Sequence, residues 1–195
     1  EVTYQQSGLG GNQSQAPPSY VSDGRGGQVA RVTVQQLSDP AKRNGQTVHF
    51  QFAVDTTGNP QLNATHAQLR EQHIAAMQPT VNDLVEKGYS VVTNRSATGA
   101  EFDSAMSNDS SAGVFLNAHG VSNSPGVVEL ADGSRISAAQ YKGHKFGKNL
   151  KFFVNMSCAS DQGTTKWDAV LPKGTAFWGA GNSFSQQTVT PFMTP

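Results

Sequence analysis

Hydrophobic residues along the chain fall into short runs that are separated by polar segments and turn residues. Runs of strand length and strand composition occur at residues 47–54, 89–92, 113–118, 150–156 and 175–179. Between them, apolar residues recur at helical spacing over 64–87, 99–107 and 164–170. Short strands that alternate with helices predict an α/β fold with a mostly parallel central sheet and helices on both faces.

Three local signals refine this prediction. Pro79 lies inside the predicted helix 64–87, where a proline removes a backbone hydrogen bond and is expected to kink or divide the helix. Residues 127–136 contain two short apolar runs around an Ala-Asp-Gly turn, which predicts a small β-hairpin. Ser137 is a suitable cap for a short helix that ends near Tyr141.

The first 44 residues differ in composition from the rest. Residues 5–19 are rich in Gln, Gly, Ser and Pro and have almost nothing to bury, which is typical of an arm or a linker. The β-branched run at 29–34 is the length of an edge strand. We therefore divide the chain into an N-terminal arm over 1–44 and a folded domain over 45–195, and expect residues 1–27 to add little to the core.

Composition and charge narrow the range of functions. The 195 residues include 14 basic and 14 acidic side chains, and this neutral balance disfavours binding to nucleic acid. No run of about 18 apolar residues exists, so we expect no membrane span. A single cysteine excludes an internal disulfide, and the five histidines lack metal-ligand spacing, so we expect neither a metal nor another cofactor. A polar surface with only 14% charged residues is typical of secreted proteins.

Chemically active side chains directly follow three of the predicted strands. Asp55 follows the first, His119 and Gly120 follow the third, and Cys158, the only cysteine, follows the fourth. Because ligands of open α/β sheets bind outside the carboxyl ends of the strands, these groups are expected to meet at one edge. A thiol beside an imidazole permits nucleophilic catalysis. The N–H groups of Gly120 and Cys158 are then candidates for an oxyanion hole.

Less specific interpretations of these residues remain open. A lone cysteine is often a small buried hydrophobic residue with no chemical role. Asp55 is equally suited to a turn after a strand. Other residues near the predicted strand ends would form a substrate-binding rim: Ser157, Asp161, Trp178, Gly179, Asn182 and Ser183. A mild basic cluster would suit a small anionic activator, and it comprises Lys142, Lys145, Lys148, Lys151 and Lys166.

Two motifs carry a resemblance to a known family. The chain reads Val-Phe-Leu-Asn-Ala-His-Gly at 114–120 and Phe-Phe-Val-Asn-Met-Ser-Cys at 152–158, with a hairpin segment between them. An apolar strand ending in His-Gly and another ending in Cys resemble the caspase-like cysteine peptidases of clan CD, in particular the self-cleaving peptidase domains of bacterial toxins. The resemblance covers about residues 45–185 and leaves the arm outside.

The resemblance implies a caspase-like, flavodoxin-like sandwich and a cysteine endopeptidase with a His119–Cys158 dyad. It further implies a bacterial protein that is secreted or delivered as an effector and acts on a protein or peptide, including its own precursor. The toxin domains place an acidic residue just after the first strand, and Asp55 matches that position as an orienting group for His119.

The chain also departs from parts of the family. It lacks the caspase pattern Gln-Ala-Cys-x-Gly, and Met156 stands where metacaspases and legumains have an acid. The substrate preferences of those groups are therefore not carried over. The strongly basic flap through which toxin domains bind inositol hexakisphosphate also has no counterpart. A non-catalytic binding module on the same fold, and a thiol-dependent acyl transferase or deamidase, remain alternative functions.

Overall fold

Eleven strands and two helices make up the computed structural model over the residues it describes, which are 1–5, 19–54 and 57–181. The strands are β1 (Val2–Gln5), β2 (Tyr20–Ser22), β3 (Gln28–Ala30), β4 (Val32–Leu37), β5 (Thr47–Ala53), β6 (Ser90–Asn94), β7 (Ser111–Gly120), β8 (Val128–Glu129), β9 (Arg135–Ile136), β10 (Phe152–Asn155) and β11 (Ala176–Gly179). The helices are α1 (Pro60–Glu86) and α2 (Gly99–Ser107). Short 3₁₀ turns lie at Pro40–Lys42, Ala138–Tyr141 and Trp167–Ala169.

Nine of these strands form one sheet, in which seven follow the order β1-β4-β6-β5-β7-β10-β11. The strands from β6 to β11 in this order are parallel, whereas β4 pairs antiparallel with β6, and β1 antiparallel with β4. The hairpin β8–β9 extends from the end of β7, and β2 and β3 form a separate two-stranded sheet. The predicted α/β fold with a mostly parallel sheet and a small hairpin is therefore confirmed.

The two faces of the sheet bury different cores, and β7 contributes to both. Its residues Val114, Leu116 and Ala118 pack with α2 and the hairpin in one cluster. Phe115, which points to the other face, packs in the cluster that α1 contributes to. Because successive strand residues alternate between faces, Asn117 and His119 are expected on the α1 face as well. Their contacts with α1, described below, agree with this.

The long helix α1 is continuous through Pro79, so this proline does not divide the helix. Pro79 has no N–H to donate to the carbonyl of Ala75. Both residues lie on the exposed face of α1, where water can donate to that carbonyl instead. The opposite face is buried through Met77 and Val81, which holds the helix together across the proline. The helix begins at Pro60, where Asn59 caps it by accepting from the N–H groups of the first turn.

The predicted helix at 164–170 is also shorter than expected, since only the 3₁₀ turn at 167–169 forms. Trp167 is buried in the core among Phe102 and Phe153, and this anchor explains the hydrophobic signal in the segment. A single large buried side chain can therefore produce a pattern that resembles one turn of an amphipathic helix.

The N-terminal region is more closely joined to the sheet than its composition suggests. The predicted edge strand at 29–34 is divided between β3 and β4, and β4 lies inside the sheet because β1 pairs along it from Val2 beside Leu37 to Gln5 beside Val34. In the β2–β3 sheet, the carbonyl of Ser22 accepts from the buried guanidinium of Arg70 on α1. None of the described residues among 1–27 is fully buried, which agrees with the small contribution to the core expected of this segment, and residues 6–18 lie outside the described residues. The domain boundary after residue 44 stays a prediction.

A partly buried ion pair joins this region to the rest of the domain. Both guanidinium N–H groups of Arg31 donate to the carboxylate of Glu101 on α2, at 2.6 and 3.0 Å. Glu101 also accepts from Asn94 and from the Thr98 backbone N–H, which completes a capping box at the start of α2. Burial alone would raise the pKa of Glu101, but the hydrogen bonds from Arg31, Thr98 and Asn94 outweigh it and lower the pKa to about 2.

We predict that Glu101→Gln lowers the free energy of unfolding by about 1–3 kcal/mol near neutral pH, because two charge-assisted bonds are lost. The folded pKa of Glu101 lies below the ordinary value of 4.5, so its contribution is complete above 4.5 and is lost as the pH falls toward 2. Urea denaturation should therefore show the difference between wild type and variant shrinking between about pH 5 and about pH 3. The control is Glu129→Gln, which removes an exposed pair with Arg135. A difference that does not change with pH would contradict this account.

Candidate active site

Three neighbouring strands bring the candidate residues into one row at the carboxyl edge of the sheet. In the β5–β7 ladder Ala53 lies beside Ala118, so Val54 comes beside His119 one residue later. In the β7–β10 ladder each residue of β10 follows its partner by 39 positions, as in Asn155 beside Leu116. Cys158 follows His119 by the same 39 positions. The register of the sheet therefore directs both residues toward the same part of the edge.

A close backbone contact shows that the ends of β7 and β10 do meet. A Cβ atom placed on Gly120 would overlap the carbonyl oxygen of Cys158 and lie 3.3 Å from the Cys158 Cβ. No side chain can therefore occupy position 120 unless the turn at Cys158 moves. His119 precedes this glycine directly, so the imidazole and the thiol belong to chain segments that touch.

The His119 imidazole is oriented by a backbone carbonyl. Its Nε2 donates to the carbonyl oxygen of Val54 at 2.7 Å, just after β5. Because a carbonyl can only accept, Nε2 carries the proton, and in the neutral ring Nδ1 is the atom with a lone pair. The arrangement thus selects one tautomer, with Nδ1 as the atom able to take up or return a proton.

The orienting group found here differs from the one that the sequence suggested. Asp55 lies outside the described residues, so its orienting role stays a prediction, and the same holds for the substrate contacts of Asn182 and Ser183. The hydrogen bond that the structure does show is donated by His119 to the carbonyl of Val54, the residue before Asp55. Backbone carbonyls are common to all residues, so no residue pattern could have identified Val54.

Cys158 stands at the start of a turn with a buried polar base. The side-chain oxygen of Asn155 accepts from the backbone N–H of Ser157 at 3.1 Å, and the hydroxyl of Ser160 donates to the carbonyl of Asn155 at 2.9 Å. Cys158 itself is partly exposed and forms no disulfide. The next residue, Ala159, adopts a left-handed conformation with φ of 53°, which is unfavourable for a residue with a Cβ. The turn therefore presents a partly exposed thiol on a base fixed by hydrogen bonds.

The antiparallel β7–β8 ladder fixes the direction of the Gly120 backbone N–H, which the sequence predicts as an oxyanion donor. Gly120 lies opposite Val128 in the antiparallel β7–β8 ladder, and the next N–H, of Val121, donates to the carbonyl of Val127 at 2.9 Å. Hydrogen-bonded and non-hydrogen-bonded pairs alternate in such a ladder, so the N–H of Gly120 is directed away from β8.

Three of the residues predicted for the rim lie together beside the turn. The N–H of Asp161 donates to the carbonyl of Ala180 at 3.1 Å, and a Cβ on Gly179 would lie 3.2 Å from that of Asp161. Trp178 on β11 is 42% exposed. The carboxylate of Asp161 is 3.8 Å from the Lys166 ammonium, so its charge is already partly compensated.

Ser157 occupies a different position from the other rim candidates. Its side chain is fully buried, and its hydroxyl has no hydrogen-bond partner among the described residues. It therefore faces the protein interior beneath Cys158. A substrate contact by Ser157 would have to come from its backbone or follow a movement of the turn.

One residue of the site was missed by sequence reasoning. The ring of His66, on the second turn of α1, lies 4.8 Å from the ring of His119 between centroids, with the planes tilted by 48°. A signal for it exists in the helical spacing, because His66, Arg70 and His73 recur at i, i+4 and i+7 on one face of α1. Polar residues on an otherwise buried face mark the side of α1 that approaches the site.

Over the described ranges, no group of three or more His, Cys, Asp or Glu side chains is arranged to hold a metal ion. Within the same ranges, none of the helices is both long enough and apolar enough to cross a membrane. Two of the five lysines in the predicted basic cluster form ion pairs, Lys148 with Asp109 and Lys166 with Asp161. That pairing reduces the positive charge available to an anionic ligand.

Comparisons of the chain with models of protein families, with curated proteins and with solved structures gave no significant match. The resemblance to caspase-like peptidases therefore rests on the two sequence motifs.

We predict that Gly120→Ala lowers the free energy of unfolding by about 1–3 kcal/mol, because the new methyl group overlaps the carbonyl of Cys158. The displaced turn should also slow the reaction of the Cys158 thiol with iodoacetamide. Urea denaturation and alkylation followed by mass spectrometry measure the two effects. Gly58→Ala is the matched control, since a Cβ there has no atom of the described residues within 4 Å. An unaffected Gly120→Ala protein would show that the two strand ends are not in close contact.

Proposed function

We propose that the protein is a cysteine endopeptidase of caspase-like type, in which Cys158 is the nucleophile and His119 the acid–base group. The observation that carries this proposal is the contact of Gly120 with Cys158, beside a β5–β7 ladder whose register brings Val54 next to His119. A partly exposed thiol and an imidazole with a selected tautomer then belong to one strand-end row. This combination is what thiol nucleophilic catalysis requires.

The proposed reaction proceeds in two steps. In the first, the thiol proton passes to Nδ1 of His119, the sulfur bonds to the substrate carbonyl carbon, and the C–N bond breaks as the same proton moves to the leaving amine. In the second, water attacks the thioester, which releases a carboxylic acid and restores the thiol. The N–H groups of Gly120 and Cys158 donate to the oxyanion that forms in each step. The carbonyl of Val54 keeps the imidazole oriented throughout.

The proposed substrate is a protein or peptide segment, including a segment of a longer precursor. Lys166 lies beside the Asp161 carboxylate, so this carboxylate is less available to a basic substrate residue. The exposed indole of Trp178 instead favours an apolar substrate residue. A bacterial source and a secreted or delivered location are proposed from the family resemblance.

We predict that His119→Ala and Cys158→Ala each reduce peptide cleavage by at least about 100-fold, because each removes a group that acts on the reacting bond. Mass spectrometry of the protein incubated alone, and with an unfolded protein substrate, would detect self-cleavage and locate the cleaved bonds. His144→Ala is the control, since its ring packs against Tyr141 and Phe146 and it should leave cleavage unchanged. Cleavage that persists in Cys158→Ala would overturn the proposal.

Alkylation of Cys158 separates the peptidase from the non-catalytic alternative. Iodoacetamide should label the thiol about tenfold faster in the wild type than in His119→Ala, because the imidazole promotes formation of the thiolate. Equal rates would identify Cys158 as an inert thiol and favour a binding module. Rapid labelling without peptide cleavage would instead favour an acyl transferase or a deamidase that uses the same pair.

A further inference from the structure

The helix α1 approaches β7 through successive polar contacts along its buried face. Deep in the sheet, the side-chain amide of Asn117 donates to Nδ1 of His73 at 3.3 Å. Two residues further along β7, and two turns earlier on α1, the ring of His66 lies against the ring of His119. The two segments therefore run side by side up to the edge where the reaction is proposed to occur.

The direct restraint on the His119 ring from β5 is a single hydrogen bond at its Nε2 end. Rotation about the side-chain bonds would replace this bond with one to water, because His119 is only partly buried at a strand end. The two ring centroids are 4.8 Å apart and the ring planes are tilted by 48°, which falls within the range of favourable aromatic contacts. His66 therefore occupies space directly beside the imidazole and restricts its rotation toward that side.

We infer that His66 is a positioning residue for His119. Its ring keeps the His119 imidazole in the orientation in which Nε2 donates to Val54 and Nδ1 is left for the thiol of Cys158. This inference rests on the proposed function for its catalytic consequence, whereas the orientation of His119 can be measured independently of activity.

Two other roles for the histidine pair are less consistent with the structure. A metal site would need a third ligand, and the described residues contain no such group of His, Cys, Asp or Glu side chains. A purely structural role would suit a fully buried residue, whereas His66 is only partly buried. His66 lies beside His119 at the carboxyl edge instead.

The test compares His66→Ala with His66→Phe, which keeps an aromatic ring but cannot exchange protons. His66→Ala should lower kcat about tenfold or more with little change in KM, since substrate binding does not involve His66. His66→Phe should restore most of kcat. Leu62→Ala is the matched control, one turn earlier on the same helix and 42% exposed, and it should behave as the wild type. Thermal melts of all variants verify that they fold.

A second measurement reports on His119 itself. Long-range ¹H–¹⁵N spectra distinguish a ring protonated at Nε2 from one protonated at Nδ1. The wild type and His66→Phe should show the Nε2–H form, and His66→Ala should show a mixture of tautomers or exchange broadening.

The outcomes of these experiments distinguish the positioning role of His66 from the proposed peptidase function. An unchanged His119 tautomer and an unchanged kcat in His66→Ala would overturn the positioning role, even with the peptidase confirmed. A His66→Phe protein as impaired as His66→Ala would also overturn it and indicate that the His66 nitrogens themselves take part. Loss of the tautomer preference in a protein without peptidase activity would support positioning and reject the proposed function alone.

Discussion

The candidate site depends on the in-register parallel pairing of β5, β7 and β10. Parallel ladders keep a constant offset, so residues that follow three adjacent strands at the same height arrive in one row. Val54, His119 and Cys158 have the offsets of those ladders, and the hydrogen bond from His119 to Val54 shows that the row continues past the last paired residues. A shift of one residue in either ladder would separate the carbonyl, the imidazole and the thiol and turn the side chains to the opposite face.

Holding Val54, His119 and Cys158 in this row has two costs. No side chain fits at position 120, and polar side chains are buried beneath the turn at Cys158. Gly120 must lack a side chain, because β7 and the turn at Cys158 approach each other too closely for one. Beneath the turn, Asn155 and Ser157 are fully buried, and the Asn155 amide nitrogen and the Ser157 hydroxyl lack partners among the described residues. Unsatisfied buried polar atoms typically cost about 1–3 kcal/mol each. Their concentration beneath Cys158 is more readily explained by a geometric requirement of the turn than by stability.

The parallel half of the sheet could be predicted from the sequence because its strands are buried on both faces and therefore appear as continuous apolar runs. β5 and β7 were found close to their observed bounds for this reason, and His119 and Cys158 stood out as polar residues directly after such runs. The β1–β4 side was predicted less well. β4 contains three polar residues, of which Gln35 and Gln36 are buried, and β1 has only four residues, so neither strand has a strong hydrophobic signal. Their place depends on pairing that the local sequence does not encode.

Two groups in contact with His119, the ring of His66 and the carbonyl of Val54, illustrate a second limit of prediction from sequence. His66 reaches the site through the packing of α1 on the sheet, a tertiary relation that helical spacing only hints at. Val54 contributes a carbonyl, which every residue has, so its role is visible only once the ladder register is known.

The use of a carbonyl at this position also has a chemical consequence. A carboxylate beside an imidazole carries a full negative charge and strongly stabilises the imidazolium form. A neutral carbonyl selects the Nε2–H tautomer without adding a charge beside the ring, and it leaves Nδ1 to take up the thiol proton. In the proposed reaction that Nδ1 proton must be returned to a leaving amine, so an acceptor without a charge aids the second half of the step. The proposed reaction thus needs an orienting partner that is well placed but uncharged. The backbone carbonyl of Val54, at the end of β5, meets that need.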